Sequence, residues 1–339
     1  MRLLVTGGLG FIGSNFIRYW LTSHPTDSIL NLDKVTYAAN PHNLDDFASD
    51  SRYSFVKGDI CDQTLLDKIV PGIDLIVHFA AETHVDRSID DPLAFVKTNV
   101  LGTYTLLSSA KKHGNIRFHH ISTDEVFGTI IPGVIDVFSE STPYDPSSPY
   151  SAAKASSDHF VRAFGKTFGL PITITNCSNN YGPFMHPEKM IPRMITNILD
   201  GHKVPVYGQG LNFRDWLYVE DHCRAIEAVI TKGKLGETYC IGGLKETSTN
   251  IDLVNTTLKL MGKSEDMIEF VADRPAHDNY AVDWTKINQE LGWKPLETLE
   301  TGLKKTIDWY TKNESWWRSS KVEAEAFYKK LNDYKNLNK

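Results

Sequence analysis

The chain has 339 residues, which is enough for about two domains or one large two-lobed unit and excludes a small stapled scaffold. Hydrophobic residues make up 41% of the sequence and charged residues 23%, so a sizeable core is expected and wholesale disorder is not. The formal net charge is −6, which excludes a general basic field for nucleic acid or an anionic membrane. Any phosphate must therefore be bound by local groups.

The cysteines and the apolar runs indicate a soluble cytoplasmic protein. The four cysteines are far apart and form no C-x-x-C pair, so neither a zinc site nor a disulfide framework is predicted; they are Cys61, Cys177, Cys223 and Cys240. Free thiols suit a reducing compartment. The longest apolar stretch, residues 73–81, is too short for a membrane span. We expect no export signal, no bound metal and no nucleic-acid partner.

Short apolar runs alternate with helical patterns in the first half of the chain. The runs predicted as strands are residues 3–5, 29–32, 53–56, 75–79, 117–121 and 172–175. The segments predicted as helices are residues 11–21, 65–70, 93–112 and 150–168. This alternation predicts an α/β fold with a doubly wound parallel sheet, a Rossmann arrangement.

The pattern becomes mixed after residue 182. Helices are predicted at residues 188–200, 219–231, 250–261 and 299–312, with short strands at 204–206 and 238–241. We therefore expect a nucleotide-binding domain with the catalytic residues over 1–182, a smaller mixed α/β substrate lobe over 183–318, and a charged tail over 319–339 that forms a surface helix.

A glycine-rich turn follows the first predicted strand. Residues 6–13 read TGGLGFIG, and Gly7, Gly10 and Gly13 are spaced so that the backbone can approach a pyrophosphate at the start of the next helix. Asp33 follows Gly13 by 20 residues, where a carboxylate can bind the adenosine ribose and repel a 2′-phosphate. The segment predicts NAD binding in preference to NADP.

Tyr150 and Lys154 are four residues apart at the start of a predicted helix, so they share one face. A nearby ammonium group favours the phenolate, so we expect the pKa of Tyr150 to fall from about 10 toward neutrality. The tyrosine would then serve as the base for a sugar hydroxyl.

Two hydroxyls and two carboxylates end the fifth predicted strand, at Ser122, Thr123, Asp124 and Glu125. Ligands bind at such strand ends in open α/β sheets, which suggests acid/base chemistry. An alternative is a capping box between Ser122 and Glu125. Joint action of the two carboxylates requires the backbone to turn directly after the strand.

Taken together, these segments resemble the extended short-chain dehydrogenase/reductases, and within them the sugar-nucleotide 4,6-dehydratases. Further matching segments are residues 32–37 (LDKVTY), 79–89 (FAAETHVDRSI), 122–128 (STDEVFG), 148–158 (SPYSAAKASSD), 176–183 (NCSNNYGP), 187–192 (PEKMIP) and 214–222 (RDWLYVEDH). The Thr-Asp-Glu triplet discriminates among family members, because sister epimerases and decarboxylases usually lack the two carboxylates together.

The resemblance implies an NAD-dependent hydro-lyase that acts on dTDP-glucose. Tyr150, assisted by Lys154 and Thr123, would remove the C4 hydroxyl proton while hydride passes to NAD. Glu125 would then take the C5 proton, and Asp124 would protonate the leaving C6 hydroxyl. Return of the hydride to C6 would yield the 4-keto-6-deoxy sugar of deoxysugar and dTDP-rhamnose biosynthesis. From the residues alone, either carboxylate could be the protonated one.

The same resemblance implies two sets of binding residues. Those expected at NAD are Gly7, Gly10, Phe11, Ile12, Gly13, Asp33, Lys34, Thr36, Asp59, Ile60, Ala80, Ala81, Thr98, Tyr150, Lys154 and Asn180. Those expected at the nucleotide sugar are Thr83, Thr123, Asn179, Lys189, Met190, Pro205, Tyr207, Arg214, Asn250, Arg274 and His277. Arg214 would clamp the diphosphate, because a guanidinium binds phosphate oxygens bidentately.

Some features depart from the family or leave alternatives open. Ala276 stands where the family usually has glycine, and the loop after His277 is one residue short, so contacts there are in doubt. The alternatives are a UDP-glucose 4,6-dehydratase, a sugar-nucleotide 4-epimerase and a silent NAD-binding regulator. The resemblance also implies a homodimer that packs through the helices after Asp91 and Tyr150.

Overall fold

The computed structural model describes residues 1–130, 137–243, 248–272 and 279–337. Its strands are β1 Arg2–Thr6, β2 Ser28–Asp33, β3 Tyr53–Lys57, β4 Leu75–His78, β5 Arg117–Thr123, β6 Ile172–Cys177, β7 Asn179–Tyr181, β8 Val204–Tyr207, β9 Phe213–Arg214, β10 Trp216–Tyr218, β11 Thr238–Ile241, β12 Ser248–Thr249 and β13 Ile268–Val271. Its α-helices are α1 Phe11–Ser23, α2 Gln63–Ile69, α3 Val85–Asp90, α4 Pro92–Phe95, α5 Thr103–Lys112, α6 Pro149–Phe168, α7 Met190–Leu199, α8 Val219–Lys232, α9 Asn250–Leu260, α10 Thr285–Leu291, α11 Leu299–Lys312 and α12 Glu314–Leu337.

Seven parallel strands form the main sheet, in the order β11-β6-β5-β4-β1-β2-β3. The predicted doubly wound Rossmann fold is confirmed. The order reverses between β1 and β4, which opens a crevice at their carboxyl ends, the usual position of a ligand in such sheets.

Both faces of the sheet are covered, which explains the continuous apolar runs of its strands. Leu4 on β1 packs into one core with residues of α5 and α6, whereas Leu3 and Val5 pack on the opposite face against α1 and α8. Alternate residues of β1 therefore serve two separate cores.

Residues 219–241 are predicted to lie in the second lobe. In the structure they form helix α8 and strand β11, which belong with the main sheet. Strand β11 pairs with β6, and α8 packs on α1. A separate apolar core lies among α7, α9, α11 and β8, and includes Ile195, Leu253 and Leu303. The chain therefore leaves the sheet after β6, builds part of the second lobe, and returns before completing it.

The predicted helix at 93–112 is divided into three parts. A π-helical segment, Val96–Gly102, lies between α4 and α5, and a 3.6-residue periodicity cannot indicate it. The side chain of Asn99 in this segment accepts a hydrogen bond from Glu82 N at 2.9 Å and donates one to Glu82 O at 3.0 Å. The π turn is thereby attached to the loop after β4.

The charged tail begins as a helix at Glu314 and is anchored at its start. Trp317 is fully buried, and the ammonium group of Lys321 lies 2.6 Å from Asp200. Along the parts of the chain that the structure describes, no helix combines the length and apolarity that crossing a membrane requires.

Candidate active site

Two adjoining cavities lie at the carboxyl end of the main sheet, and we call them the groove and the cleft. The groove runs along the ends of β1, β2 and β4, and all sixteen residues predicted to bind NAD line it. The cleft lies between the groove and the second lobe. The predicted sugar-nucleotide residues that line it are Thr83, Asn179, Lys189, Met190, Pro205, Tyr207, Arg214 and Asn250. Glu125, Asn180 and Glu188 are among the residues that line both cavities.

The glycine turn has no room for side chains. Gly7 has a φ of +73°, and a Cβ there would lie 2.7 Å from the backbone of Ala80. A Cβ on Gly13 would lie 2.3 Å from the carbonyl oxygen of Gly7. Glycine is thus required at both positions, and the backbone between them forms the floor of the groove.

The start of α1 fits an anionic group. Gly10 caps the helix with no side-chain hydrogen bond, and the first turn carries no acidic residue. Its first N–H groups and the positive end of the helix dipole therefore face the groove without competition from a carboxylate. These features suit the pyrophosphate of NAD.

Asp33 closes β2 at the groove and is only 7% exposed. Its carboxylate accepts hydrogen bonds from Leu9 N at 2.9 Å and Val35 N at 2.7 Å. Burial raises the pKa of Asp33 above its usual value, and the two backbone hydrogen bonds offset only part of this increase. A carboxylate held in this way retains lone pairs for ribose hydroxyls, which fits the adenosine end of NAD.

Asn43 connects the glycine turn to the far end of the chain. Its Nδ2 atom donates to the carbonyl oxygen of Leu9 at 2.9 Å, and its Oδ1 atom accepts from Trp316 Nε1 at 2.8 Å. Two consecutive hydrogen bonds therefore link α12 to the floor of the groove.

The backbone turns directly after β5, as joint action of the two carboxylates requires. A 3₁₀ turn covers Asp124–Phe127, and Thr123 is its N-cap, with Oγ1 accepting from Glu125 N at 3.2 Å. The alternative of a capping box at Ser122 is wrong, because the Ser122 hydroxyl donates instead to Asp158 at 2.9 Å.

Asp124 and Glu125 occupy different environments. Asp124 is fully buried, accepts from Thr123 Oγ1 at 3.2 Å, and lines neither cavity. Burial raises the pKa of Asp124 well above its usual value, and the charges of Glu125 and Asp215 raise it further. Glu125 is half-buried and lines both cavities. Burial therefore favours the protonated form of Asp124 over its carboxylate, whereas Glu125 is open to both cavities.

Tyr150 and Lys154 lie on α6 beside this turn, and both are buried. Ser148 starts the helix with a capping box to Ser151, which places Tyr150 in the first turn. The Lys154 ammonium donates to the carbonyl oxygen of Ile121 at 2.8 Å.

The structure does not lower the pKa of Tyr150. Burial raises it well above its usual value, and the charge of Glu125 adds to the increase, while a hydrogen bond with Thr123 opposes it. The expectation of a pKa near neutrality is therefore wrong for the protein alone, since burial of the phenol dominates and the charge of Glu125 acts in the same direction. Burial also lowers the pKa of Lys154.

The cleft places Arg214 beside Asn250. Strand β9, which contains Arg214, pairs with β12 immediately before α9, and the guanidinium lies 4.7 Å from the ring centroid of Tyr280. Thr123 lines the groove instead of the cleft. Arg274, Ala276 and His277 lie outside the described residues.

Glu188 lines both cavities but was not among the predicted site residues, although the neighbouring Lys189 was. The Glu188 side chain is fully buried at the junction of the two cavities, and its carboxylate lies 3.3 Å from Arg87 Nη2. The Arg87 guanidinium in turn lies 3.8 Å from the ring centroid of Tyr37. A carboxylate next to a lysine predicted at the nucleotide sugar was the available signal. In the described part of the chain, no cluster of His, Cys, Asp and Glu side chains could hold a metal ion.

Comparisons with known proteins agree with this geometry. A family model described as GDP-mannose 4,6 dehydratase matches residues 4–306. The dTDP-glucose 4,6-dehydratase of Neisseria meningitidis is 50% identical, over 94% of this chain and 95% of that protein. The chain belongs to the dTDP-glucose 4,6-dehydratase family.

Solved structures place this family within a wider fold group. A dTDP-glucose 4,6-dehydratase from Streptomyces venezuelae, crystallised with NAD bound, has a TM-score of 0.91 and 48% identity, over 94% of this chain and all of that one (100%). A UDP-glucose 4-epimerase from Thermotoga maritima has a TM-score of 0.85 at 27% identity, over 93% of this chain and 100% of that one. The fold alone thus does not separate dehydratase from epimerase, whereas the sequence identity to the dehydratase family does.

Proposed function

We propose that this chain is a dTDP-glucose 4,6-dehydratase, which converts dTDP-glucose to dTDP-4-keto-6-deoxyglucose and water. The observation that carries the proposal is the pair of carboxyl groups on the turn after β5: Asp124 is fully buried with a raised pKa, and Glu125 lines both cavities. An epimerase has no use for this pair. Membership of the dehydratase family supports the same conclusion.

The groove would hold NAD. The glycine turn and the start of α1 would bind the pyrophosphate, Asp33 would bind the adenosine ribose, and Lys34 would lie over the adenosine end through its 2.7 Å ion pair with Asp59. When bound, NAD supplies a hydride acceptor, a hydride donor and the positive charge of its oxidised ring. Because the ribose site carries a carboxylate, a 2′-phosphate is disfavoured.

The residues around Tyr150 would remove the C4 hydroxyl proton. Tyr150 accepts this proton, so its phenolate must be accessible despite the burial that raises its pKa. The positive charge of Lys154 one helical turn away favours the phenolate. A hydrogen bond from Thr123 favours it as well once the single hydroxyl proton of Thr123 turns from Asp124 to Tyr150. Thr123 lines the groove, where its hydroxyl orients the C4 oxygen.

Glu125 and Asp124 would then act together in the loss of water, Glu125 as the base and Asp124 as the acid. Glu125 takes the proton from C5, which the C4 ketone acidifies. Asp124 carries its own proton and gives it to the C6 oxygen, so that the C6–O bond breaks and water leaves. Because Asp124 lines neither cavity, the C6 hydroxyl must approach it past Thr123 and Glu125. Delivery of the hydride to C6 requires a proton at C5, which Glu125 would give back. The proton that Tyr150 took from the C4 hydroxyl would pass by way of solvent to Asp124, so that each group returns to its starting state.

The cleft would hold the nucleotide diphosphate. Arg214 binds phosphate oxygens with its guanidinium, Lys189 contributes a second cation, and Asn250 at the start of α9 offers its side-chain amide. Thr83 and Asn179 lie where the cleft meets the groove and would contact the sugar.

Isotope tracing tests the proposal. C4-deuterated dTDP-glucose is mixed with heavy-carbon, undeuterated substrate, and the products are analysed by mass and by NMR at C6. The dehydratase delivers the deuterium to C6 of the same molecule, with no net release of reduced cofactor. Return of the deuterium to C4 would indicate an epimerase, and no transfer would indicate a silent binder. Turnover of UDP-glucose in preference to dTDP-glucose would point to the uridine enzyme.

We also propose a homodimer located in the cytoplasm. Leu93, Val96, Leu101 and Tyr104 on the helical run from α4 to α5, together with Phe160 on α6, are each 39–57% exposed, and they form an apolar surface that a second copy could cover. Sedimentation of Leu101→Glu should show monomers, whereas Leu235→Glu, at an exposed position after α8, should leave the dimer intact. The cytoplasmic location is supported by the four free cysteines.

A further inference from the structure

A buried carboxylate lies one helical turn beyond Lys154. Asp158 is fully buried, and Tyr150, Lys154 and Asp158 follow one another at four-residue intervals along one face of α6. Its Oδ2 atom accepts hydrogen bonds from Tyr144 at 2.7 Å, Ser122 at 2.9 Å and Asn176 at 3.2 Å. None of the reaction steps proposed above uses Asp158.

The donors to Asp158 belong to the segments that carry the proposed catalytic residues. Ser122 is directly followed by Thr123. The Nδ2 atom of Asn176 also donates to the carbonyl oxygen of Thr123 at 3.0 Å, and the Lys154 ammonium binds the carbonyl oxygen of Ile121. The end of β5 is thus held by Asp158 on one side and by Lys154 on the other.

The other titratable groups that the structure describes around Lys154 and Asp158 provide no negative charge, so Asp158 is the anion beside Lys154. Burial lowers the pKa of His120 on β5 to about 4 and that of His78 on β4 well below its usual value, so both are neutral near pH 7. Burial raises the pKa of Cys177 on β6 and of Tyr144. Arg162, further along α6, donates to the Tyr144 hydroxyl at 2.7 Å.

Asp158 itself is ionised. Burial opposes its ionisation, but contact with His120, at 3.2 Å from Oδ1, the charge of Lys154 and the bond from Tyr144 hold the pKa of Asp158 at about 2. The interior beneath α6 therefore contains a carboxylate, Asp158, that accepts hydrogen bonds from three separate segments of the chain.

We infer that Asp158 is a positioning residue, which keeps Lys154 in its charged form and fixes the end of β5 that carries Thr123, Asp124 and Glu125. This inference rests on the proposed function, because it assigns Asp158 a role through Lys154. An uncharged residue of the same shape would leave a buried ammonium without its counter-charge, and such a lysine loses its proton more readily.

The test compares Asp158→Asn with the wild-type enzyme in two measurements. The pKa of Lys154 is measured by NMR in protein labelled with 13C at the lysine ε-carbon, with the signal assigned through Lys154→Met. We expect it to fall by about 1–3 units, the usual effect of an opposite charge nearby. The alkaline limb of the kcat/KM profile should move to lower pH by the same amount. Asp158→Glu, which restores the charge, should return both values toward those of the wild type.

Tyr144→Phe is the matched control. It removes one hydrogen bond to Asp158 but no charge, so the unfolding midpoint should fall while the pKa of Lys154 and the alkaline limb stay in place. Equal titration of Lys154 in wild type and Asp158→Asn would overturn the inference. That result would leave the proposed function intact, since the isotope experiment on the wild-type enzyme tests it separately.

A double variant decides the case in which Asp158→Asn does not fold. Lys154→Met combined with Asp158→Asn removes both charges, and mutations of coupled residues are not additive. Recovery of folded protein in the double variant supports a charge partnership. Failure to fold in both backgrounds means that Asp158 serves only as a hydrogen-bond acceptor, and the inference is then wrong.

Discussion

Replacing Asp124 by asparagine removes its acidic proton but keeps the size of its side chain. The side chain is fully buried, and its Oδ2 atom has no hydrogen-bond partner among the described residues. Burial, followed by the charges of Glu125 and Asp215, raises its pKa well above the ordinary value. Asparagine matches the size of the protonated acid and carries no charge. The substitution therefore removes the proton donor and leaves the local charge near neutral pH unchanged.

The raised pKa of Asp124 determines whether the free energy of unfolding rises or falls with pH. Between the unfolded value, 3.8, and the higher folded value, the folded protein keeps a proton that the unfolded chain has released. The free energy of unfolding of the wild type must then fall as pH rises through this window, by up to about 1.4 kcal/mol per pH unit for one group. The variant lacks this contribution. Asp215, whose pKa burial raises to about 7, is present in both proteins, so its direct contribution largely cancels in the difference.

The assay is urea unfolding of wild type and Asp124→Asn at several pH values from about 5 to about 8, both with saturating NAD. The stability of the variant relative to wild type should increase with pH at a slope approaching about 1.4 kcal/mol per unit. Asp90→Asn, at an exposed position, should show no such slope. Turnover of Asp124→Asn should fall by about 10²–10⁴-fold, the usual contribution of a general acid.

A flat or falling difference between the two proteins would refute the reasoning. It would mean that Asp124 is ionised in the folded enzyme and has no proton to give. Normal turnover in the variant would assign the acid role to another group, even if the slope were as expected.

Three further substitutions give distinct outcomes. Glu125→Gln should still allow oxidation at C4 but stop before water loss, because an amide cannot accept the C5 proton; absorbance of reduced nicotinamide should then build up on the enzyme, and normal water loss would exclude Glu125 as the base. Lys154→Met should reduce turnover and move the acid limb of the rate profile to higher pH, because the Tyr150 phenolate loses a cation; an unchanged profile would make the lysine structural. Asp33→Ala leaves two backbone N–H groups without their acceptor, at about 1–3 kcal/mol each, and should weaken NAD binding more than NADP binding in titration calorimetry; equal loss for both would remove Asp33 from the ribose site.

The main sheet could be predicted because its strands are buried on both faces. Each of the six predicted strands lies within or overlaps β1 to β6, since long apolar runs separated by amphipathic helices have few other solutions. The seventh strand, β11, was predicted as a strand but placed in the other lobe. Its position depends on the pairing with β6 across about 60 residues of chain, and a local pattern carries no information on such a pairing.

The site could be predicted only as far as its residues occur in motifs. The glycine turn, Asp33 and the Thr-Asp-Glu triplet are local signals with a direct chemical meaning. The raised pKa of Tyr150 and the buried network of Asp158 depend on what covers these side chains, and burial is a property of the assembled sheet and helices. Which of Asp124 and Glu125 acts as the acid and which as the base in the proposed mechanism also depends on burial. Two adjacent carboxyl groups differ only once the 3₁₀ turn has buried one of them.

The pair of hydrogen bonds from Trp316 through Asn43 to Leu9 has a practical consequence for the handling of the protein. A chain truncated before residue 314, or a preparation nicked there by a protease, would keep every residue of the groove and the cleft. It would nevertheless lose the hydrogen-bonded connection between α12 and the glycine turn. Because the buried Trp317 would also be lost from the core of the second lobe, we expect such material to be purified with less cofactor, to unfold at a lower temperature, and to recover only part of its activity when NAD is added back.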